Sequence, residues 1–436
     1  MLESPKIHLF LPLLGLILGA TVQAAETLLI TDIPADVIAT EAKVMDPTDM
    51  NSFSGVVIPD TAQLRRTVEQ YVDTIEELQR SHGIFHDRIG EELIGLGLAY
   101  KNLGQYRQAI DAFKRSLHIN RINQGLHNPN QLALLELLIE TNSAVSDWEA
   151  LDQNYHYLYW VNRRIFGEND PRLIPFIERL GTWHLNEYQL ESGPIPFKHL
   201  LSADILFQDA VDIIEASFGA NDPRLINALY RIALANCHMA SHAGNPDTYE
   251  EIRSSARSIG RMERMPENMQ ELIRDSYRRG KKAMLRITDI YANNPQLPAD
   301  AHGIALTHLG DWYLLFDRSS TARKTYEIAY AKLTESGIQQ DDIDRFFSQP
   351  RSLPAIKLPI EYQQDDSNDS YVIVKFDVTK SGWARNIEII ESSPVNKASL
   401  HHKAKRTIRA TRFRPRIEDG RPVEAPDVNI KYMVEE

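Results

Sequence analysis

Cysteine is nearly absent: Cys237 is the only one in 436 residues. It has no partner for an internal disulfide, and between Ala235 and Met239 in a helical pattern it reads as core filler. A basic excess is missing too. Net charge is −12, and an acidic chain lacks the cationic face that displaces counterions from nucleic acid. The charge is uneven, since residues 371–436 hold 13 Lys and Arg against 9 Asp and Glu, which leaves −16 on the rest. Catalytic signatures are also missing: there is no Gly-x-Ser-x-Gly elbow, no phosphate-cradling Walker loop and no Gly-x-Gly-x-x-Gly. His238 and His242 are four apart without an adjacent Glu or a third ligand, and His401 and His402 point in different directions on a helix. Asp341-Asp342 and Asp365-Asp366 sit among Ser, Asn and Gln and read as solvated linker. The expectation is a chain that is no enzyme, with no cofactor, no metal site, no small-molecule substrate and no nucleic-acid partner.

Long apolar runs are scarce apart from Ile7 to Ala25, which contains no ionised side chain. Lys6 supplies a positive flank and Val22-Gln23-Ala24 the small residues that a signal peptidase reads, so residues 1–24 are expected to be an export signal. The alternative is an uncleaved inner-membrane anchor, because the run approaches the roughly 20 residues that span a bilayer. Pro12, Gly15 and Gly19 favour cleavage. Residues 25–59 read as an extended, irregular linker.

What the chain has in quantity is repetition. Turn segments beginning at Gly83, Gly125 and Gly167 are spaced by 42 and 42 residues, and the next, at Gly219, follows 52 later. An insertion over 191–200, with its Gly193-Pro194-Ile195-Pro196 kink, accounts for the longer step. Glycine ends one helix and proline after Asp or Asn starts the next. Between turns the pattern is helical. Leu93, Leu96-Gly97, Tyr100, Gly104, Tyr106, Ala109 and Phe113 fall at the spacing of the tetratricopeptide (TPR) repeat, as do Leu309-Gly310, Tyr313, Ala322, Tyr326 and Ala329. The copy from 130 to 166 departs, with Ile139 and Asn142 where Gly and Tyr are expected. Residues 60–340 thus resemble a TPR array of the longer, 42-residue kinesin-light-chain type, opened by a capping helix over Thr61 to Arg80 and carrying a second insertion over 241–268. The resemblance implies a helical solenoid whose inner groove binds proteins or peptides. Its groove positions would be Glu91, Ile94, Leu98, Lys101 and Asn102 in one copy, and Ile304, Thr307, Asp311 and Leu314 in another.

After a linker expected over 341–370, the period changes to two. Val372, Val374, Phe376 and Val378 alternate with polar positions, Lys380-Ser381-Gly382 is a tight turn, and Trp383 to Glu391 is a second strand. Lys397 to Thr411 is a helix with Leu400, Ala404 and Ile408 on one stripe and basic residues opposite. Val428, Ile430, Tyr432 and Val434 alternate in a last strand. Gly382, the Ile-rich strand into Ser392-Ser393, the helix, Phe413-Arg414-Pro415 and Asp419-Gly420-Arg421-Pro422-Val423 together resemble the TonB carboxy-terminal domain over about residues 354–436.

The fold class is therefore α followed by α+β: a TPR-type solenoid and then a small β-β-α-β domain over 371–436. The TonB resemblance implies a periplasmic domain that adds an extended segment of an outer-membrane transporter to its sheet edge. That edge would be Val428, Asn429, Ile430, Lys431 and Tyr432, and the Arg412, Arg414 and Arg416 cluster reads as a solvated basic face or as a contact for an acidic partner. The functional expectation is a periplasmic adaptor, with an inner-membrane-anchored energy transducer as the alternative. The proline-rich spacer of that family's transducers is absent, and a solenoid stands in its place.

Overall fold

The computed structural model describes residues 61–189, 196–243, 269–353, 371–393 and 398–433. The expected signal, the 25–59 segment, residues 191–195 and 244–268 of the insertions, and the 354–370 stretch lie outside the described residues. Among the described residues the chain falls into two compact units, one ending at Trp183 and the other beginning at His184.

The first unit contains α1 (Thr61–His82), α2 (Asp87–Asn102), α3 (Tyr106–Gln124), α4 (Gln131–Ala144), α5 (Trp148–Phe166), a 3-10 turn at Pro171–Leu173, and the start of α6 (Ile174–Gln189). Ile75 and Leu78 of α1 close over Ile89, Leu93 and Leu96 of α2, with Ala112 and Ile119 of α3 in the same core. Gly97 is obligatory because a Cβ there would run into the Phe113 ring. The copy inferred from its period is a hairpin of the same kind. Leu135, Leu138 and Ile139 are buried in α4, and Asn142 occupies an aromatic position because its side-chain amide donates to the Leu138 carbonyl at 2.7 Å.

The turns share one construction. Asp170 accepts the Arg172 amide at 2.9 Å and the Arg172 Nε at 2.9 Å, while that guanidinium lies 4.3 Å from the Phe166 ring centroid. The side-chain hydrogen bond from Arg172 holds the Asp170 carboxyl down at about 2. In the next copy Asp222 accepts the Arg224 amide at 2.9 Å and Arg224 stacks 3.7 Å over Phe218. The repeat is thus Phe-Gly-x-Asn-Asp-Pro-Arg-Leu, read at 166–173 and 218–225. Its proline sits just after the Asp cap, where a missing N–H costs nothing.

The second unit continues with α7 (Pro196–Phe218), α8 (Leu225–Ala243), α9 (Met269–Asn293), α10 (Ala301–Leu315), α11 (Ser319–Glu335) and α12 (Gln340–Phe347). Two boundaries move. Residues 196–200 are helix rather than insertion, because Phe197 and Leu200 are fully buried. The linker expected from 341 is helical to Phe347, because Ile343 and Phe347, four apart, are both buried. Asp341 and Asp342 suit its positive amino-terminal turn.

The terminal module is a three-stranded antiparallel sheet, with β2 (Tyr371–Val378) between β3 (Ala384–Ser393) and β7 (Ala425–Met433). Helix α13 (Ala398–Ala410) covers one face. Val372, Val374, Phe376 and Val378 meet Leu400, Ala404 and Ile408 in its core. Two short ladders complete it, β1 (Arg351–Ser352) with β4 (Phe413–Arg414) and β5 (Arg416–Glu418) with β6 (Arg421–Val423). The second turns at Asp419 and Gly420, both at positive φ, +47° and +74°, as a two-residue hairpin requires.

His238 on α8 is 8% exposed, and burial pushes its pKa down to about 4. The unfolded imidazole titrates near 6.5. Between these values the unfolded chain holds more protons, so stability falls as pH drops. The expected loss is about 2 kcal/mol from pH 6.5 to 5. Urea unfolding at the two pH values should show it, with a shallower dependence in His238→Gln.

Candidate partner-binding site

Two features could engage another chain, the border of the terminal sheet and the groove of the helical array. At the border, β7 pairs with β2 from Val428 to Met433 without a break in register, and among the described residues its other side pairs with no strand. Ile430 is buried and Val428 is packed on the module's core, so Asn429 and Lys431 fall on the opposite, exposed face. The Lys431 ammonium lies 4.2 Å from the Tyr371 ring centroid. At the start of the strand Asp427, at φ +58°, takes the bulge. Its amide donates to Asp377 Oδ1 at 3.0 Å and its carboxylate pairs with Lys375 at 2.5 Å.

The other border differs. β3 meets β2 through two register shifts, has Asn386 at φ +52°, and exposes Arg385, Glu388 and Glu391. Bulges and charges of this kind blunt an edge against further pairing. The regular backbone, unpaired along its outer side among the described residues, is that of β7.

The basic cluster is where the sequence reading needs correction, for Arg412 and Arg414 are not a solvated face. The extended segment that carries them is held on both sides. The Phe413 amide donates to the Gly382 carbonyl at 2.9 Å and the Leu353 amide to the Arg412 carbonyl at 2.8 Å. Their side chains reach α10 and its carboxyl end. Arg414 is 2% exposed. Its Nε donates to Asp311 Oδ1 at 2.8 Å, and its Nη2 bonds Asp311 Oδ2. The Tyr326 hydroxyl donates to the same carboxylate at 2.8 Å. Burial disfavours the Arg414 charge, but Asp311 beside it outweighs burial and holds its pKa above the ordinary value. Arg412 reaches Asp317 at 2.8 Å and stacks 4.0 Å from Trp383. Arg416 pairs within its own hairpin, with Glu418 at 2.7 Å.

Gly382, at φ +79°, is the point of closest approach. A Cβ there would overlap the Phe413 carbonyl oxygen and lie 3.1 Å from a Leu314 methyl. The Asp419-Gly420 turn rests on α11, where a Cβ on Gly420 would be 3.3 Å from Tyr330. The acidic partner of the cluster is therefore the chain itself.

The groove positions divide accordingly. Glu91, Leu98 and Asn102 are exposed and Ile94 and Lys101 half-buried, with Lys101 paired to Glu140 across to α4. In the last hairpin Thr307, Asp311 and Leu314 are buried and only Ile304 is partly open. The terminal module takes up Asp311 and abuts Leu314. His308, hydrogen-bonded to the Tyr230 hydroxyl at 2.9 Å, is held down at about 4 by burial. His238 and His242 join no group of three metal-ligating side chains among the described residues.

Arg414→Met would leave Asp311 charged and buried without its guanidinium, at an expected cost of about 3–5 kcal/mol. Adding Asp311→Leu should recover at least half of that loss. Urea unfolding of the four proteins of the cycle, followed by tryptophan fluorescence, measures both.

Comparison with known proteins agrees with this geometry at both ends. Residues 363–434 match the family described as Gram-negative bacterial TonB protein C-terminal, and residues 91–123 match the tetratricopeptide repeat. A search of curated proteins returns no match. Similar solved structures include the nearly identical TPR-like repeats of a Podosopora anserina protein described as a kinesin light chain, at 14% identity and TM-score 0.32, covering 49% of this chain and 99% of that one. A point variant of those repeats gives 14% identity and TM-score 0.31, over 46% and 90%. BtubC (BKLC) from P. vanneervenii gives 12% identity and TM-score 0.34, over 70% and 99%. The carboxyl end of this chain is therefore similar to the TonB carboxy-terminal domain, and it follows an array of tetratricopeptide-type helical hairpins.

Proposed function

We propose that the protein is a non-catalytic adaptor of the Gram-negative periplasm, linked to TonB-dependent outer-membrane transport. Its terminal sheet takes an extended peptide on β7 while the exposed hairpins of the array hold a second partner. The observation that carries this reading is the unbroken run Val428 to Met433, paired along one side only among the described residues. Each backbone group on the other side is a donor or acceptor that an incoming strand satisfies. Lys431 and Asn429 beside it favour an acidic or polar residue at the facing positions of that strand.

The likeness to the Gram-negative TonB family supports an envelope location, and the uncharged run Ile7 to Ala25 with its small-residue end suits export. Among the described residues no helix is long and apolar enough to cross a membrane. The same apolar run supports a second reading, an anchored energy transducer whose amino terminus stays intact. The two differ in mass and fractionation. The adaptor is a chain starting near Ala25 and released with the periplasmic fraction, whereas the transducer is full length and needs detergent.

The test of the edge is hydrogen exchange on the full chain, with and without extended amino-terminal segments of outer-membrane transporters. Binding is expected to slow exchange in Val428–Tyr432 and to leave β3 unchanged. Protection confined to β3, or to neither strand while a peptide binds, would sink the assignment.

A further inference from the structure

The exposed face of α13 plays no part in the sheet edge or in the seat on α10, yet it is the most one-sided surface of the module. Its thirteen residues include Lys403, Lys405, Arg406 and Arg409, with His401 and His402, and no acidic side chain. Leu400, Ala404, Thr407 and Ile408 are buried. At 100° per residue, Arg406 and Arg409 then lie at the middle of the outward stripe, with Lys403 to one side and Lys405 to the other. Arg406 and Arg409 are exposed, and neither makes an ion pair among the described residues, unlike Arg412, Arg414 and Arg416 a few residues on. His401 is turned to the sheet, where its Nε2 meets the Ser392 hydroxyl at 2.8 Å.

The exposed Glu388 of the sheet does not reach across to Arg406 and Arg409. α13 packs on β2 and β3. Ile387 and Ile389 of β3 point into the shared core, and Glu388, between them, therefore points to the far side of the sheet. The remainder of the chain carries −16 against +4 for residues 371–436, so the cationic stripe persists on a protein that is acidic overall. Charges further away than about 10 Å are largely screened at 0.1 M salt.

Three kinds of partner suit a cationic helix face, and the side chains on it choose among them. A protein interface is centred on buried aromatic or large apolar anchors. The outward stripe has no large apolar anchor, since its members other than Lys and Arg are Ala398, Ser399, His402 and Ala410. Single-stranded nucleic acid is held by aromatic platforms between cations, and α13 contains no aromatic ring other than its two histidines. A flat, purely electrostatic face fits a flat anionic surface. We propose that α13 is a peripheral contact for the anionic phospholipid headgroups of a bilayer, through Lys405, Arg406 and Arg409. With no apolar wedge it lies against the headgroups without inserting. Each cation near such a surface contributes about a fivefold gain in partitioning. The contact is also on the opposite layer from the exposed face of Asn429 and Lys431, so a bilayer and an added strand are compatible.

The test is co-sedimentation of the full chain with vesicles of phosphatidylcholine alone and with 30% phosphatidylglycerol, at low and at roughly 0.3 M salt. Binding is expected only to the anionic vesicles and only at low salt. Arg406→Glu with Arg409→Glu should lower it at least tenfold, and Arg406→Gln with Arg409→Gln by a smaller factor, both with unchanged circular dichroism and thermal midpoint. Comparison with the parent chain removes any contribution of the Ile7–Ala25 run, which all forms share. Equal binding to neutral vesicles, or undiminished binding by the Glu variant, overturns the proposal. Tighter retention of a short DNA duplex than of anionic vesicles at the same salt overturns it as well. Strand addition on β7 is read by exchange at Val428–Tyr432 in the same variants, so loss of one activity is separable from loss of the other.

Discussion

The joint between the helical array and the terminal sheet rests on one buried ion pair, Arg414 with Asp311, buttressed by the Tyr326 hydroxyl. A guanidinium and a carboxylate taken out of water together gain little over well-packed apolar residues. Either one alone is expensive. Such a pair therefore contributes less to bulk stability than to uniqueness. Only one placement of the segment from Arg412 to Arg414 satisfies both charges, and that placement brings Phe413 to Gly382 and the Asp419-Gly420 turn to α11.

This joint gives the domain a different setting from one at the end of a flexible spacer. The sheet sits in the same compact unit as the later hairpins, so β7 is presented at a fixed orientation to α10, α11 and α12. A binding edge that is already oriented loses less entropy when its partner arrives. The arrangement also divides labour along the array. The last hairpin supplies the seat, and exposed groove positions such as Glu91, Leu98 and Asn102 belong to an earlier copy.

Much of this was legible in the chain. The period of 42, the Gly-Pro turns and the change from helical to alternating patterning are local signals, and local signals survive without coordinates. The copy at 130–166 was readable by period alone, because Asn142 replaces an aromatic through a hydrogen bond to its own helix, which no substitution pattern announces. The helix at 340–347 was hidden by Asp341-Asp342, which look like solvated linker until Ile343 and Phe347 are seen to share a buried side. The destination of Arg412 and Arg414 was not readable, since it depends on residues about a hundred positions away. A faint signal did exist. Asp311 lies between Gly310 and Trp312 as the one acidic or basic residue, histidines apart, of a helix rich in apolar side chains, and an acid in such company asks for a buried cation.

A row of stacked helical hairpins exposes, at its final member, a surface made to receive another hairpin. Here α12 and the terminal sheet lie against that member, and the residues that would greet a neighbour, Asp311 and Leu314 among them, are covered. The module consequently works as a stopper. At this end the surface on which a further hairpin would stack is already occupied by the chain's own β-rich segment.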